Sequence, residues 1–200
     1  MWKKSRNLEP FFKSVKANLN LHGVRFFIVI VSLSTENCFY TTTDSHHMNV
    51  LIFDKKGGSR RQGSIELFEP HGATEYAYDT TELQNTIKRF AGENSEFHEY
   101  EFISPLEISP SSISFQRLQS EEEMQRIASD PGGWCMAWSF YYAEQRVKYP
   151  TIAPRNLVKY LIAKLERRKN KDGGSLTEYI REYANYAITH YKSKHQHISS

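Results

Sequence analysis

Cysteine is scarce in this chain: of 200 residues only Cys38 and Cys135 carry thiols. Two thiols so far apart in sequence build neither a disulfide framework nor a four-cysteine zinc site, and they point to a reducing compartment. Long hydrophobic runs are missing as well. The most apolar window, Phe26 to Leu33, falls far short of the about 20 residues a helix needs to cross a bilayer. Neither sign of charge dominates; a net +3 is too weak a field to argue for nucleic acid. Glycine and proline are sparse, ten and seven residues, and there is no internal repeat or low-complexity tract. The composition is that of a globular chain, not a disordered one. Met1 to Arg6 starts basic, but no apolar run with a small-residue cleavage site follows. The expectation is an intracellular, cytoplasmic protein, monomeric, with no membrane and no nucleic-acid partner. What the chain has in quantity is aromatic residues, 12 Phe, 12 Tyr and 3 Trp. At this length they suffice for one domain, residues 1–200, around a real core.

The hydrophobic spacing orders the elements. Phe11, Phe12, Val15 and Leu19 share a helical face, which Gly23 stops. Phe26 to Val31 reads as a strand buried on both faces, Met48 to Phe53 as a second, and Ser64 to Phe68 as a third that pairs with the second as a hairpin. Asp79 to Glu82 has capping-box spacing before a helix carrying Leu83, Ile87 and Phe90. Tyr100 to Ile103 is a short strand, and Pro105 to Ser114 reads as loop. Ser120 to Glu123 opens a short helix ending near Ala128. A helix follows Cys135 and closes at Pro150, another carries Leu157, Leu161 and Leu165, and Ser175 to Glu178 caps the last. A sheet in the middle with helices at both ends is α+β, a central mixed sheet.

The chemistry concentrates in Asp130-Pro131-Gly132-Gly133-Trp134-Cys135. A turn-forming run delivers a thiol to the first turn of a helix, where the dipole lowers a thiol's pKa and unpaired N–H groups face outward. A nucleophilic cysteine needs an imidazole base and a group to orient it. Of eight histidines, His195 and His197 fall in a polar tail, His22 and His190 at helix ends and His98 in a charged loop, which leaves His46, His47 and His71. His47 opens the second strand and Glu69 closes the third. In an antiparallel hairpin these two ends adjoin, so Glu69 is placed to fix the tautomer of His47 and support its charge. The spacing of His46, His47, His71 and Cys135 matches no zinc signature, and no metal or cofactor is expected.

His47-Met48-Asn49-Val50-Leu51-Ile52-Phe53-Asp54, Ile65-Glu66-Leu67-Phe68-Glu69-Pro70-His71-Gly72 and Gly133-Trp134-Cys135-Met136-Ala137-Trp138-Ser139 together resemble the clan of adenovirus-type and SUMO-specific cysteine proteases, in particular divergent members from large DNA viruses. The resemblance runs from about residue 25 to 150, leaving 151–192 as a helical extension and 193–200 as a frayed tail. It implies His47 as base, Glu69 as orienting acid and Cys135 as nucleophile, with Gly132, Gly133, Trp134 and Met48 along the substrate channel. The clan also uses a glutamine before the cysteine to bind the oxyanion. No glutamine stands six or seven residues upstream, and Gln116 is the best alternative, with Gln119 and Gln125 behind it. The SUMO proteases carry Trp where Met48 stands, which leaves Gly-Gly specificity open. Acetyltransferases of the YopJ type share the triad with Glu. The resemblance thus implies acyl transfer at a thiol: a peptidase or isopeptidase acting on a protein, a peptide or a ubiquitin-like tail, an acetyltransferase, or a non-catalytic binding descendant.

Overall fold

The computed structural model describes residues 9–35, 45–56, 63–72, 81–93, 97–110, 113–124 and 134–196. Four strands, β1 (Phe26–Thr35), β2 (Ser45–Asp54), β3 (Ser64–Phe68) and β4 (Glu101–Ile103), form one sheet in that order. β1, β2 and β3 pair antiparallel; β4 joins β3 in parallel, after the crossover helix α2 (Thr81–Glu93). The β2–β3 hairpin expected from the sequence is present, with Val50 opposite Phe68 and Asp54 opposite Ser64.

Position in the sheet decides burial. β3 is buried at every residue. β1 is the edge strand and is only half-buried, with Ile28 exposed, so its run of apolar residues is not enclosed on both faces as the sequence suggests. One face of the sheet is covered by α1 (Glu9–Leu19) and α2, where Phe12, Val15 and Leu19 meet Leu51, Phe53, Ile65, Leu67 and Ile87. The other face carries α5 (Cys135–Lys148), backed by α6 (Pro154–Asp172) and α7 (Leu176–Gln196). There Val50, Ile52 and Phe68 pack on Trp138, Tyr141 and Tyr142. The alternation of a β-strand sends neighbouring residues to these two cores.

Three elements differ from the sequence reading. The segment read as loop contains a short helix, α3 (Pro105–Ile108), because Ser104 and Glu107 form a capping box ahead of Pro105. α4 runs Phe115–Met124, so Ser120 lies inside it and opens nothing. Its start is set by Ser114, whose carbonyl accepts the Leu118 N–H, and by Phe115, stacked on Trp138. α7 continues to Gln196, through the first half of the stretch 193–200 read as a frayed tail. Its start is the one read from sequence: Glu178 accepts the Ser175 N–H at 2.9 Å and donates its own N–H to Ser175 Oγ at 3.1 Å.

Candidate active site

The site is built where β2 begins and β3 ends. β3 stops at Phe68, opposite Val50. Continuing that register by one pair sets Glu69 beside Asn49, with His47 two residues further along β2. The turn after Glu69 is fixed by Gly72. Its N–H donates to Glu69 O at 2.9 Å, its φ is +80°, and an added Cβ would meet Ser109 O at 2.9 Å. That is a position for glycine on both conformational and steric grounds.

Glu69 is buried and accepts at both oxygens. Oε1 lies 2.6 Å from His47 Nε2 and takes the His71 backbone N–H at 2.8 Å. Oε2 takes Asn49 Nδ2 at 2.6 Å. With Nε2 engaged, the other ring nitrogen of His47 is left for Cys135, and the imidazole and the thiol are hydrogen-bonded. His47 is 2% exposed and Cys135 6%.

α5 is held against β2 at this point through the peptide that follows His47. The Met48 N–H hydrogen-bonds the Cys135 sulfur, and Met48 O accepts Ser139 Oγ at 3.0 Å. β3 has already ended, so the backbone of Met48 serves the helix where a strand would otherwise continue. The thiol is thereby placed beside the residue that carries the imidazole.

Electrostatics follow from this geometry. Burial alone pulls an imidazole down. The hydrogen bonds to Cys135 and Glu69, and then the Glu69 and Cys135 charges, overcome it and push His47 up to about 9. Burial likewise raises a thiol, but the His47 hydrogen bond, the Met48 N–H, the His47 charge and the Met136 N–H bring Cys135 below its ordinary range. The direction on both sides is toward a thiolate–imidazolium pair at neutral pH. His71, whose ring lies 5.4 Å from that of His47, moves the other way, lowered by burial and then by the His47 charge.

The structure thus brings together His47, Glu69 and Cys135. Gln116 sits in the first turn of α4, buried, with its backbone N–H on Pro70 O at 3.1 Å, one residue beyond Glu69. It belongs to α4 itself, the helix that the sequence reading opens only at Ser120. Gln119 accepts Trp138 Nε1 at 2.7 Å and is part of the α4–α5 packing. Met48 is half-buried. Trp134 caps α5 without a side-chain hydrogen bond, packs on the core, and has the Arg181 guanidinium 6.0 Å over its ring. Gly132, Gly133, Gln125 and Cys38 lie outside the described residues, as does the side chain of His46. Among the described residues no cluster of three or more His, Cys, Asp or Glu is arranged to hold a metal ion. No described helix is long and apolar enough to cross a membrane.

Sequence reasoning missed Asn49 and Ser139. The signal for Asn49 was present, since an amide in Val50-Leu51-Ile52-Phe53's strand is out of place unless it has a polar partner.

No protein-family profile matches the chain, and no solved structure does. It is similar to a protein of Acanthamoeba polyphaga mimivirus that carries the name of an ankyrin repeat protein, 27% identical over 129 residues. The match takes in 60% of this chain and 16% of that protein, so the chain spans about one sixth of its relative's length.

Proposed function

We propose that this chain is a thiol-dependent acyl hydrolase, a cysteine peptidase or isopeptidase in which Cys135 attacks, His47 carries the proton and Glu69 orients His47. The observation that carries the reading is one imidazole bonded on one side to a buried carboxylate and on the other to a thiol at a helix start. His47 holds the thiol proton. The sulfur adds to an amide carbonyl carbon and the carbonyl electrons move to oxygen. The first-turn N–H groups of α5, which lack intrahelical acceptors, face that charge; one such donor is worth about 10²- to 10³-fold in rate. The tetrahedral adduct collapses, the C–N bond breaks, and the amine leaves with the proton from His47. Water, deprotonated by His47, then cleaves the thioester and returns the thiol.

The substrate proposed is a protein or peptide, including a ubiquitin-like tail. Met48 in the place of the clan's tryptophan favours a wider channel than a Gly-Gly tunnel. A relative named for ankyrin repeats, which are binding arrays, fits a protein partner. An activated thiol works only while reduced, which agrees with a reducing intracellular site of action.

The test pairs two readings on purified protein. Electrophilic probes bearing a ubiquitin or SUMO tail are compared with iodoacetamide, and peptide cleavage is compared between wild type and Cys135→Ala. Labelling of Cys135 by a tail probe, and cleavage lost in the variant, support the proposal. Cleavage unchanged in Cys135→Ala refutes it, and turnover seen only with an acetyl donor turns the same triad to acetyl transfer.

A further inference from the structure

Asn49 is the least expected residue of the site. It sits fully buried in β2, in the strand face it shares with Leu51 and Phe53. Its Nδ2 donates to Glu69 Oε2 at 2.6 Å, while its Oδ1 has no hydrogen-bond partner. An amide buried with its carbonyl oxygen unpaired is a poor choice for packing. Leucine would fill the place without an orphaned acceptor. What Asn49 supplies that leucine cannot is an N–H on the second oxygen of Glu69.

That bond matters because of what Glu69 faces. The titratable groups around it, among the described residues, are His47 from β2, His71 after β3 and, through His47, Cys135 from α5. A buried carboxylate beside an imidazolium has two ways to fail. It can rotate away, or it can take the proton itself, leaving the imidazole neutral and the thiolate without its counter-charge. Three donors on two oxygens oppose both.

We propose that Asn49 is a positioning residue, a fourth member of the Cys135–His47–Glu69 chain, which acts through Glu69 to keep the proton on His47. The inference rests on the reading of the site given under Proposed function. Because it acts on the proton's location, its signature is a pH limb and not merely a loss of rate.

The experiment follows thiolate ultraviolet absorbance against pH in a Cys38→Ser background, corrected with Cys135→Ser. In Asn49→Leu the acid limb of the Cys135 thiolate is expected to move up by about one pH unit, the size of one charge-assisted hydrogen bond. In a Glu69→Gln background, Asn49→Leu is expected to add nothing, since its route is gone. A folded Asn49→Leu with the wild-type limb overturns the inference. So does a shift of the same size in both backgrounds. If Asn49→Leu does not fold by circular dichroism, Asn49→Val carries the same readout. The two failures are distinct: no thiolate in wild type near neutral pH sinks the reading of the site, whereas a wild-type thiolate that Asn49 leaves unmoved sinks only this inference.

Discussion

The β2–β3 hairpin carries a buried ionic cluster at each end, and α5 touches both. At one end, Arg146 bonds Glu66 through Nε at 2.9 Å and Asp54 through Nη2 at 2.9 Å, and Arg25 closes on Asp54 at 2.8 Å. At the other, Cys135, His47, Glu69 and Asn49 form a chain. The eleven helical steps from Cys135 to Arg146 separate the two clusters by about 16 Å of helix. The clusters are similar in burial and differ in chemistry. Arg146 is a permanent cation held by two carboxylates, with no nucleophile beside it; burial raises the Glu66 carboxyl and the Arg146 charge opposes that rise. Such a cluster fixes how α5 lies on the sheet. The second cluster has an imidazole hydrogen-bonded to a thiol, so that one proton is shared between a base and a nucleophile, at a helix start. Buried charge therefore marks a candidate site where it is bonded to a nucleophile; without one it is a staple.

Four variants and a pH series sharpen this contrast. Cys135→Ala is expected to abolish turnover completely, while a urea melt shows a loss of at most about 1 kcal/mol from a one-atom truncation. His47→Ala is expected to lower kcat by about 10²- to 10⁴-fold, the range of acid–base catalysis, measured by steady-state cleavage. At the opposite end of the hairpin, Arg146→Met leaves Glu66 buried without its cation, while Asp54 keeps Arg25, and is expected to cost about 3–5 kcal/mol by urea unfolding. Whatever fraction stays folded should keep the wild-type thiolate limb; a shifted limb would mean the two ends are not independent. Gly72→Ala strains a left-handed backbone and presses on Ser109 O, and about 1–3 kcal/mol is expected, with Glu69 displaced and kcat lowered more than KM is raised.

The smallest effect is in the pH dependence of stability. His47 is raised to about 9 in the fold, so its contribution is full below about 6.5 and is lost as pH rises to about 9. Cys135 is lowered, so its contribution is lost as pH falls through its folded value. Near pH 7.5 the folded pair holds one proton, on nitrogen, and the unfolded pair also holds one, on sulfur. The stability difference between wild type and the double variant His47→Ala/Cys135→Ala, measured by urea unfolding across pH, is therefore expected to be flat at neutral pH and to fall on either side.

Much of this was legible in the sequence. The hairpin, the helix starting at Cys135 and the meeting of His47 with Glu69 all follow from strand periodicity and antiparallel register, which are local rules. β1 was misjudged because a continuous apolar run does not say whether a strand is central or at an edge; that depends on which strands flank it. α4 was misplaced because Ser120-Glu121-Glu122-Glu123 satisfies capping-box spacing without being a helix start, while Phe115 stacking on Trp138 extends the helix toward its N-terminus. The support of the site was less legible still. Met48 backbone bonds to Cys135 and Ser139 join segments far apart in sequence, 91 residues for Ser139, and no local pattern announces them. Asn49 announced itself only as a polar residue in an apolar strand.

The most direct test of the account is the thiolate absorbance of Cys135 against pH in the native Cys38→Ser protein, with Cys135→Ser as blank, because it needs no substrate and no access to a buried thiol. A thiolate already formed at pH 7, and lost at that pH in His47→Ala, is the result the account predicts. A thiol that ionises near its ordinary value of about 8.5, and does so equally with and without His47, contradicts it.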